Sequence, residues 1–227
     1  MKNNHTWVIC AYGESEFLEE CILSLQAQTL SSKIICYSST PLDSIKQLCQ
    51  KYGIPFYTKE GGGIGKDWNN ALSFVETAYA TIAHQDDFYD PAYLEAVMQK
   101  IEQSKDILIA YTDYFEEKNG VKIPANTNLK IKTLMLKTLN LMPSSRFWRN
   151  RVLAFGNPIS CPAVTYNLEV LRDFRFDEEM RVSLDWYAWY KISDYKGQFA
   201  YISEKLMCHR IHGESETTKT ISDNTRT

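Results

Sequence analysis

Two carboxylates stand side by side, Asp86 and Asp87, directly after the apolar run Ala80 to Ala83 and His84-Gln85. Adjacent carboxylates repel unless positive charge sits beside them, and hard divalent cations take oxygen ligands. Mg²⁺ in particular is held by one or two carboxylates together with substrate phosphates. The pair therefore suits a metal–diphosphate complex, with Mn²⁺ or Mg²⁺ as the cofactor. An ordinary acidic turn ahead of the helix that begins near Asp90 is the competing reading. Two other constellations invite chemistry and carry less. The run Gly61-Gly62-Gly63-Ile64-Gly65-Lys66 fails as a phosphate-cradling P-loop, because Glu60 occupies the place of the first glycine and Asp67 that of the hydroxyl residue. Cys208-His209-Arg210-Ile211-His212 lacks a second ligand pair at zinc-like spacing, so no zinc site is expected.

The elements that must position the aspartates follow from hydropathy. Trp7 to Tyr12, Lys33 to Tyr37, Pro55 to Tyr57, Ala80 to His84 and Ile107 to Tyr111 read as short buried strands, the last closing the sheet. Amphipathic stretches alternate with them. Leu18, Cys21, Ile22 and Leu25 form one helical face, with Ser15 as N-cap; a second helix runs from Leu42 to Tyr52. A third presents Ala71, Phe74, Val75 and Ala78, and a fourth, opened by Asp90 and Pro91, carries Leu94, Val97, Met98 and Ile101. Alternation of this kind predicts parallel strands with crossover helices. Asp86 and Asp87 then lie at the carboxyl end of a central strand, where open α/β sheets bind ligands. Glu117-Lys118-Asn119-Gly120 predicts a hairpin turn, so the sheet becomes mixed there. The second half is less regular.

Composition narrows the classes. With 44% hydrophobic and 23% charged residues, the 227-residue chain can bury one substantial core. A net charge of −3 argues against a global attraction to nucleic acid or to an anionic membrane surface, and leaves room only for a local basic patch. The polar start and the shortness of Trp7 to Cys10 do not suit a secretory signal, and no apolar run approaches the ~20 residues that span a bilayer. The expected location is cytoplasmic. Six well-separated cysteines read as reduced core residues.

Several short motifs occur in a fixed order. Val8-Ile9-Cys10-Ala11-Tyr12 leads to Leu18 through Leu25 and Gln28-Thr29, then Gly65 to Leu72, His84-Gln85-Asp86-Asp87 with Asp90-Pro91, Asp185-Trp186, and Arg210-x-His212-x-x-Ser215. In this order they resemble the family 2 glycosyltransferases over nearly the whole chain. The resemblance implies an α/β fold of GT-A type, a mixed but mostly parallel sheet flanked by helices with a more irregular acceptor-binding part. Residues 1–117 would form the nucleotide-sugar-binding part, and 118–227 the acceptor-binding part and C-terminal loop of the same domain. It implies an inverting transfer from a nucleoside-diphosphate sugar, UDP-linked by expectation, to a hydroxyl of a saccharide or lipid-linked acceptor, in bacterial surface polysaccharide or glycolipid assembly. Ala11, Tyr12 and Glu14 would line the nucleotide pocket; Lys66, Asn69, Asp86, Arg210 and His212 would also bind the nucleotide sugar, the last two offsetting charge on the leaving group. The metal would sit on Asp86 and Asp87.

Asp185 matches the family's catalytic base, a carboxylate that takes the acceptor's proton as its oxygen attacks; a helix N-cap is the plainer alternative. Trp186, Tyr187, Trp189 and Tyr190 are either a stacking wall for sugar rings or core. Three positions depart from the family pattern. Ser38-Ser39-Thr40 replaces the paired aspartates of the second strand, leaving Ser38 where a carboxylate reads the base; Asp67-Trp68-Asn69 replaces Ala-Arg-Asn; Leu184 replaces a glutamate. The departures keep open a catalytically idle nucleotide-sugar-binding protein, with a sugar nucleotidyltransferase as the other rival. Finally, residues 129–155 carry Lys130, Lys132, Lys137, Arg146, Arg149 and Arg151 among apolar residues and no acid. This segment is either peripheral membrane contact at the inner face of the cell membrane or a helix pair with core-facing apolar residues.

Overall fold

The structure, a computed structural model, describes residues 4–212. In chain order its elements are β1 (His5–Cys10), α1 (Leu18–Gln26), β2 (Lys33–Tyr37), α2 (Asp43–Lys51), β3 (Phe56–Tyr57), α3 (Ile64–Leu72), β4 (Tyr79–His84), β5 (Phe88–Tyr89), α4 (Tyr93–Glu102), β6 (Ile107–Lys118), β7 (Val121–Lys122), α5 (Thr127–Leu139), α6 (Arg146–Leu153), a 3₁₀ turn at Cys161–Ala163, β8 (Val164–Asn167), α7 (Leu184–Ile192) and β9 (Gln198–Arg210). The described strands form one nine-stranded sheet in the order β3-β2-β1-β4-β8-β6-β9-β5, with β7 paired to β6. Strands β3, β2, β1 and β4 are parallel, and β1 is buried along almost its whole length because it has neighbours on both edges and helices on both faces. On α1, the buried residues Leu18, Cys21, Ile22 and Leu25 recur at helical spacing and seal one face of the sheet.

Several expectations change. Ile107 to Tyr111 does not close the sheet: β8 enters antiparallel between β4 and β6, and β9 lies parallel on the far side of β6. Helix α3 stops at Leu72, so Phe74, Val75 and Ala78 follow it rather than continue its face. Ser73 ends the helix by turning its hydroxyl back onto the Asn70 carbonyl at 2.6 Å, which leaves Phe74 to stack on Tyr57 at 4.4 Å. Ser15 caps no helix; its hydroxyl accepts the Phe17 amide in a local turn. Asp90 and Pro91 make a turn whose Asp90 carboxylate accepts the Ala92 amide, and α4 begins only at Tyr93. The hairpin forms as expected, with Asn119 and Gly120 both at positive φ, 53° and 75°, between paired Lys118 and Val121. All six cysteines are unpaired, five of them buried.

The second half packs two helices, α5 and α6, against the sheet's far side through Leu136, Leu139, Val152 and Leu153. Not all the basic residues of this stretch face solvent. Arg149 is buried and donates to the carbonyls of Pro143, Ser193, Tyr195 and Gly197, and Lys132 donates to the Tyr114 hydroxyl. One close approach joins the halves. A Cβ on Gly65 would lie 2.1 Å from the Asp177 carbonyl oxygen, so only glycine lets α3 meet the 176–178 segment. Asn69, one turn further on, clamps the same segment by donating to the Phe176 carbonyl and accepting the Phe176 amide. Gly65→Ala should therefore destabilise the fold by ~1–3 kcal/mol, the usual cost of forcing atoms into a filled contact. Urea unfolding checks this, and an unchanged midpoint would refute the packing argument.

Candidate active site

The site grows from the turn between β4 and β5. Strand β4 ends at His84, the Asp87 amide closes the turn onto the His84 carbonyl, and β5 begins at Phe88. Asp87 is no exposed acidic turn residue: its solvent exposure is 0%. Its Oδ1 accepts the Arg210 backbone amide at 3.0 Å and faces His209 Nδ1 at 3.2 Å. Its Oδ2 has no hydrogen-bond partner and lies 3.8 Å from His84 Nδ1, too far for a hydrogen bond. Asp86 Oδ2 meets His212 Nε2 at 2.9 Å.

What brings β9 here is an irregularity. The β6–β9 register slips around Asp113, so that Thr112 pairs with Ile202 but Tyr114 with Met207. The displaced end of β9 then pairs with β5 as well, Cys208 opposite Phe88 and Met207 opposite Tyr89. His209, Arg210 and His212 are thereby delivered to the aspartates. Arg210 is buried, and its guanidinium is occupied: it donates to Glu20 at 2.7 Å, to Glu117 at 3.3 Å and to the Asp86 carbonyl at 3.1 Å, packed over Phe17 and Phe88. Expected to offset charge on a diphosphate, it clasps the Asp86-Asp87 turn to α1 and β6 in this structure. Ser215 of the same motif lies outside the described residues.

Charge in this cluster is balanced by proximity. Burial works against ionisation of Asp86, yet His84 and His212 outweigh it and hold the carboxyl below its ordinary range. Burial likewise disfavours the His209 imidazolium, and Asp87 overcomes this, raising its pKa. Donor atoms of His84, Asp86 and Asp87 lie within 4.8 Å of one another. A buried carboxylate oxygen without a partner, facing an imidazole and a second carboxylate, is an arrangement that a divalent cation would satisfy.

Asp185 sits in the first turn of α7, after Ser183 at φ 55°, and is not the N-cap. Asn157 Nδ2 donates to its Oδ2 at 2.6 Å. Burial pushes its pKa above the ordinary carboxylate range, against the pull of the Trp186 amide, of Asn157 and, more weakly, of His84. Of the four aromatics expected around it, Trp189 is core, Trp186 is half-buried with its indole N–H on the Leu153 carbonyl, and Tyr187 and Tyr190 are exposed.

The remaining expected residues separate into two sets. Ala11, Tyr12 and Glu14 gather at the end of β1. Gln85 donates to the Tyr12 carbonyl and accepts its amide, tying that end to the Asp86-Asp87 turn, while the Tyr12 ring is 63% exposed and Glu14 accepts the Ser44 hydroxyl. Lys66 lies across Gly62, where a Cβ would meet its Cδ at 2.8 Å. Ser38 and Asn69 face elsewhere: Ser38 is fully buried with its hydroxyl on the Thr40 carbonyl, and Asn69 is the clamp on Phe176. His84, His209, Gln85 and Asn157 had no assigned role from sequence. A histidine two places before the aspartate pair was the one legible signal among them.

The family model described as Glycosyl transferase family 2 matches residues 6–163. The glycosyltransferase GlyA of Streptococcus pneumoniae serotype 4 is 24% identical over 123 residues, which cover 51% of this chain and 18% of that protein. S. aureus TarS 1-349 in complex with UDP-GlcNAc superposes with a TM-score of 0.72 at 16% identity, over 94% of this chain and 60% of that one. The mannosyltransferase PcManGT from Pyrobaculum calidifontis, in complex with GDP-Man and Mn²⁺, gives 0.71 at 12% identity over 97% and 60%. The chain thus spans less than two thirds of each of these relatives. At such identity the structural likeness establishes the fold, a mixed and mostly parallel sheet of GT-A type, and the sequence match establishes the family. With that match covering more than half its length, this chain belongs to glycosyl transferase family 2.

Proposed function

We propose that this chain transfers a sugar from a nucleoside-diphosphate sugar to an acceptor hydroxyl with inversion, using a divalent cation held by Asp86, Asp87 and His84 and a proton acceptor at Asp185. The observation that carries the reading is the unpartnered Oδ2 of a fully buried Asp87, facing His84 at the carboxyl end of β4. Asp185, in the first turn of α7, is a carboxyl whose proton affinity is raised by burial. A bound Mn²⁺ or Mg²⁺ would offset the negative charge gathering on the departing diphosphate. The chain's own residues do the rest. Asp185 Oδ1, the oxygen that Asn157 leaves open, accepts the acceptor proton as the new bond to the anomeric carbon forms on the face opposite the diphosphate. Tyr187 and Tyr190 offer exposed rings for an acceptor sugar. Lys66 lies beside the glycine loop as a cation for the donor, and His212 positions Asp86.

The TarS complex with UDP-GlcNAc supports a UDP-linked donor, and the PcManGT complex with GDP-Man makes guanosine the alternative. A saccharide or lipid-linked acceptor in bacterial surface polysaccharide or glycolipid assembly, met at the cytoplasmic side, completes the reading.

The metal reading predicts that Mn²⁺ binds the free protein and that Asp87→Asn weakens it about 10-fold or more, the scale on which metal sites respond to a lost partner. Calorimetric titration measures this, and UDP should lose affinity in parallel only when Mn²⁺ is present. Equal nucleotide affinity with and without metal in both proteins would sink the site.

Asp185→Asn, nearly isosteric, should keep donor affinity while transfer falls ~10²–10⁴-fold. Because the base must be deprotonated and its pKa is raised, the acid limb of the kcat profile should lie above the ordinary carboxylate range, with rate rising as pH rises through it. A mutant that retains most of its activity would reduce Asp185 to a structural residue.

We place the acceptor side against an anionic membrane. Between Lys118 and Leu168 the chain has eight lysines and arginines and no acidic residue. On α5, Ile131 and Leu134 are exposed one turn apart near Lys130 and Lys137, Leu141 and Met142 are exposed in the turn that follows, and Phe147 and Phe155 are exposed on and after α6. No helix among the described residues is long and apolar enough to cross a membrane, so the contact is peripheral. Each cation near an anionic leaflet contributes ~1 kcal/mol. Sedimentation with phosphatidylglycerol vesicles should be salt-sensitive and should fall when Lys130, Lys137 and Arg151 become Gln. Wild-type protein that stays in solution even at low salt would leave a soluble acceptor.

A further inference from the structure

A carboxylate lies at the end of β2 that neither the metal nor the proton-transfer step uses. Asp67, in the first turn of α3, reaches back over the sheet: its Oδ2 accepts the Ser39 hydroxyl at 2.9 Å and its Oδ1 the Tyr37 hydroxyl at 3.3 Å. Asn70 Nδ2 donates to the same Tyr37 oxygen at 3.1 Å, and the phenol proton is shared between Asp67 Oδ1 and the Lys59 carbonyl at 3.4 Å. Ser39 donates to it and Tyr37 stands within donating distance, so the carboxylate is held as an acceptor, with each oxygen keeping one further lone pair. The glycine loop is shaped around it. A Cβ on Gly61 would lie 2.6 Å from the Ser39 Cβ and 3.1 Å from Asp67 Oδ1, so no side chain fits between loop and carboxylate. Tyr37 is the last residue of β2 and Ser39 follows it closely, so these two bonds place the carboxylate at the carboxyl end of β2.

The sheet order says what would lie there. Strand β1 separates β2 from β4, and neighbouring strands are about 4.8 Å apart, so the ends of β2 and β4 are separated by about 10 Å. With a diphosphate on the metal turn at the end of β4, the ribose and α-phosphate bridge a distance of that order, and the base arrives at the end of β2. The crevice beside β1 is also where the strand order reverses and open α/β sheets take nucleotides. Ser38, the residue at the strand end itself, is fully buried and turned into Thr40, so it offers the base nothing.

Resting on the donor reading above, we propose that Asp67 selects the nucleotide, accepting the ring N–H that uracil and guanine present beside a carbonyl. Cytosine and adenine present a bare ring nitrogen at that edge, an acceptor that faces a carboxylate with repulsion. The carboxylate comes from a helix rather than from the strand, but it occupies the same crevice.

The test is calorimetric binding of UDP, GDP, CDP and ADP in Mn²⁺, to wild type and to Asp67→Asn, which keeps the side chain's shape and one acceptor for the two hydroxyls. Wild type should favour UDP or GDP over CDP and ADP about 10-fold or more, the weight of a hydrogen bond to a charged group; comparing UDP with GDP identifies the base. In Asp67→Asn that preference should collapse, with CDP gaining relative to UDP because the amide can donate to cytosine. Equal weakening of all four nucleotides would make Asp67 a support for the Ser39 turn only and overturn the inference, as would an unchanged preference. If none of the four binds wild type, the donor reading itself fails and takes this inference with it.

Discussion

A carboxylate sealed from solvent, Asp87, obliges the chain around it to bring partners from a distance, since a buried ion without them would cost several kcal/mol. They come from more than a hundred residues away, on β9: the Arg210 amide and the His209 ring. Supplying them requires β9 to run beside β6, slip register at Asp113 and turn onto β5. The Arg210 side chain then ties the same turn to Glu20 on α1 and Glu117 on β6. First helix, central turn and the last described strand are thus joined at one point, and the unfilled demand at Asp87 Oδ2 is left facing His84.

Much of the first half was legible because its elements are local. The alternation of apolar strands and amphipathic helices survives in β1, α1, β2, α2 and β4, with ends shifted by a residue or two. The aspartate pair could be placed at a strand end for the same reason. What could not be read depends on pairing across long separations. Strand β8 has no local signal requiring it to enter between β4 and β6, and the slip that redirects β9 is a property of two strands together. Roles assigned by motif fared unevenly on the same account. Asn69 keeps its position, yet its amide is consumed by Phe176 because Gly65 lets that loop come within reach.

The two acidic centres differ in kind. Asp86 has imidazoles beside it that stabilise its charge, whereas burial outweighs the two donors on Asp185, the Trp186 amide and Asn157, and it keeps its proton more readily. Different surroundings thus set apart the proton affinities of two carboxyl groups of one chain. Their elements come from opposite halves of the chain, and the clamp of Asn69 on the Phe176 segment, which leads into α7, holds those halves in register.

The two-way bond between Gln85 and the Tyr12 backbone has a thermodynamic meaning. It fixes the peptide on which Tyr12 stands while leaving the ring itself largely in solvent. A molecule settling against that ring finds the main chain already in place and has only a single side chain with two torsions to immobilise. The ordering penalty is then ~0.5–1.5 kcal/mol for that side chain, rather than the larger entropy of freezing a loop, and most of the favourable contact energy is retained as affinity.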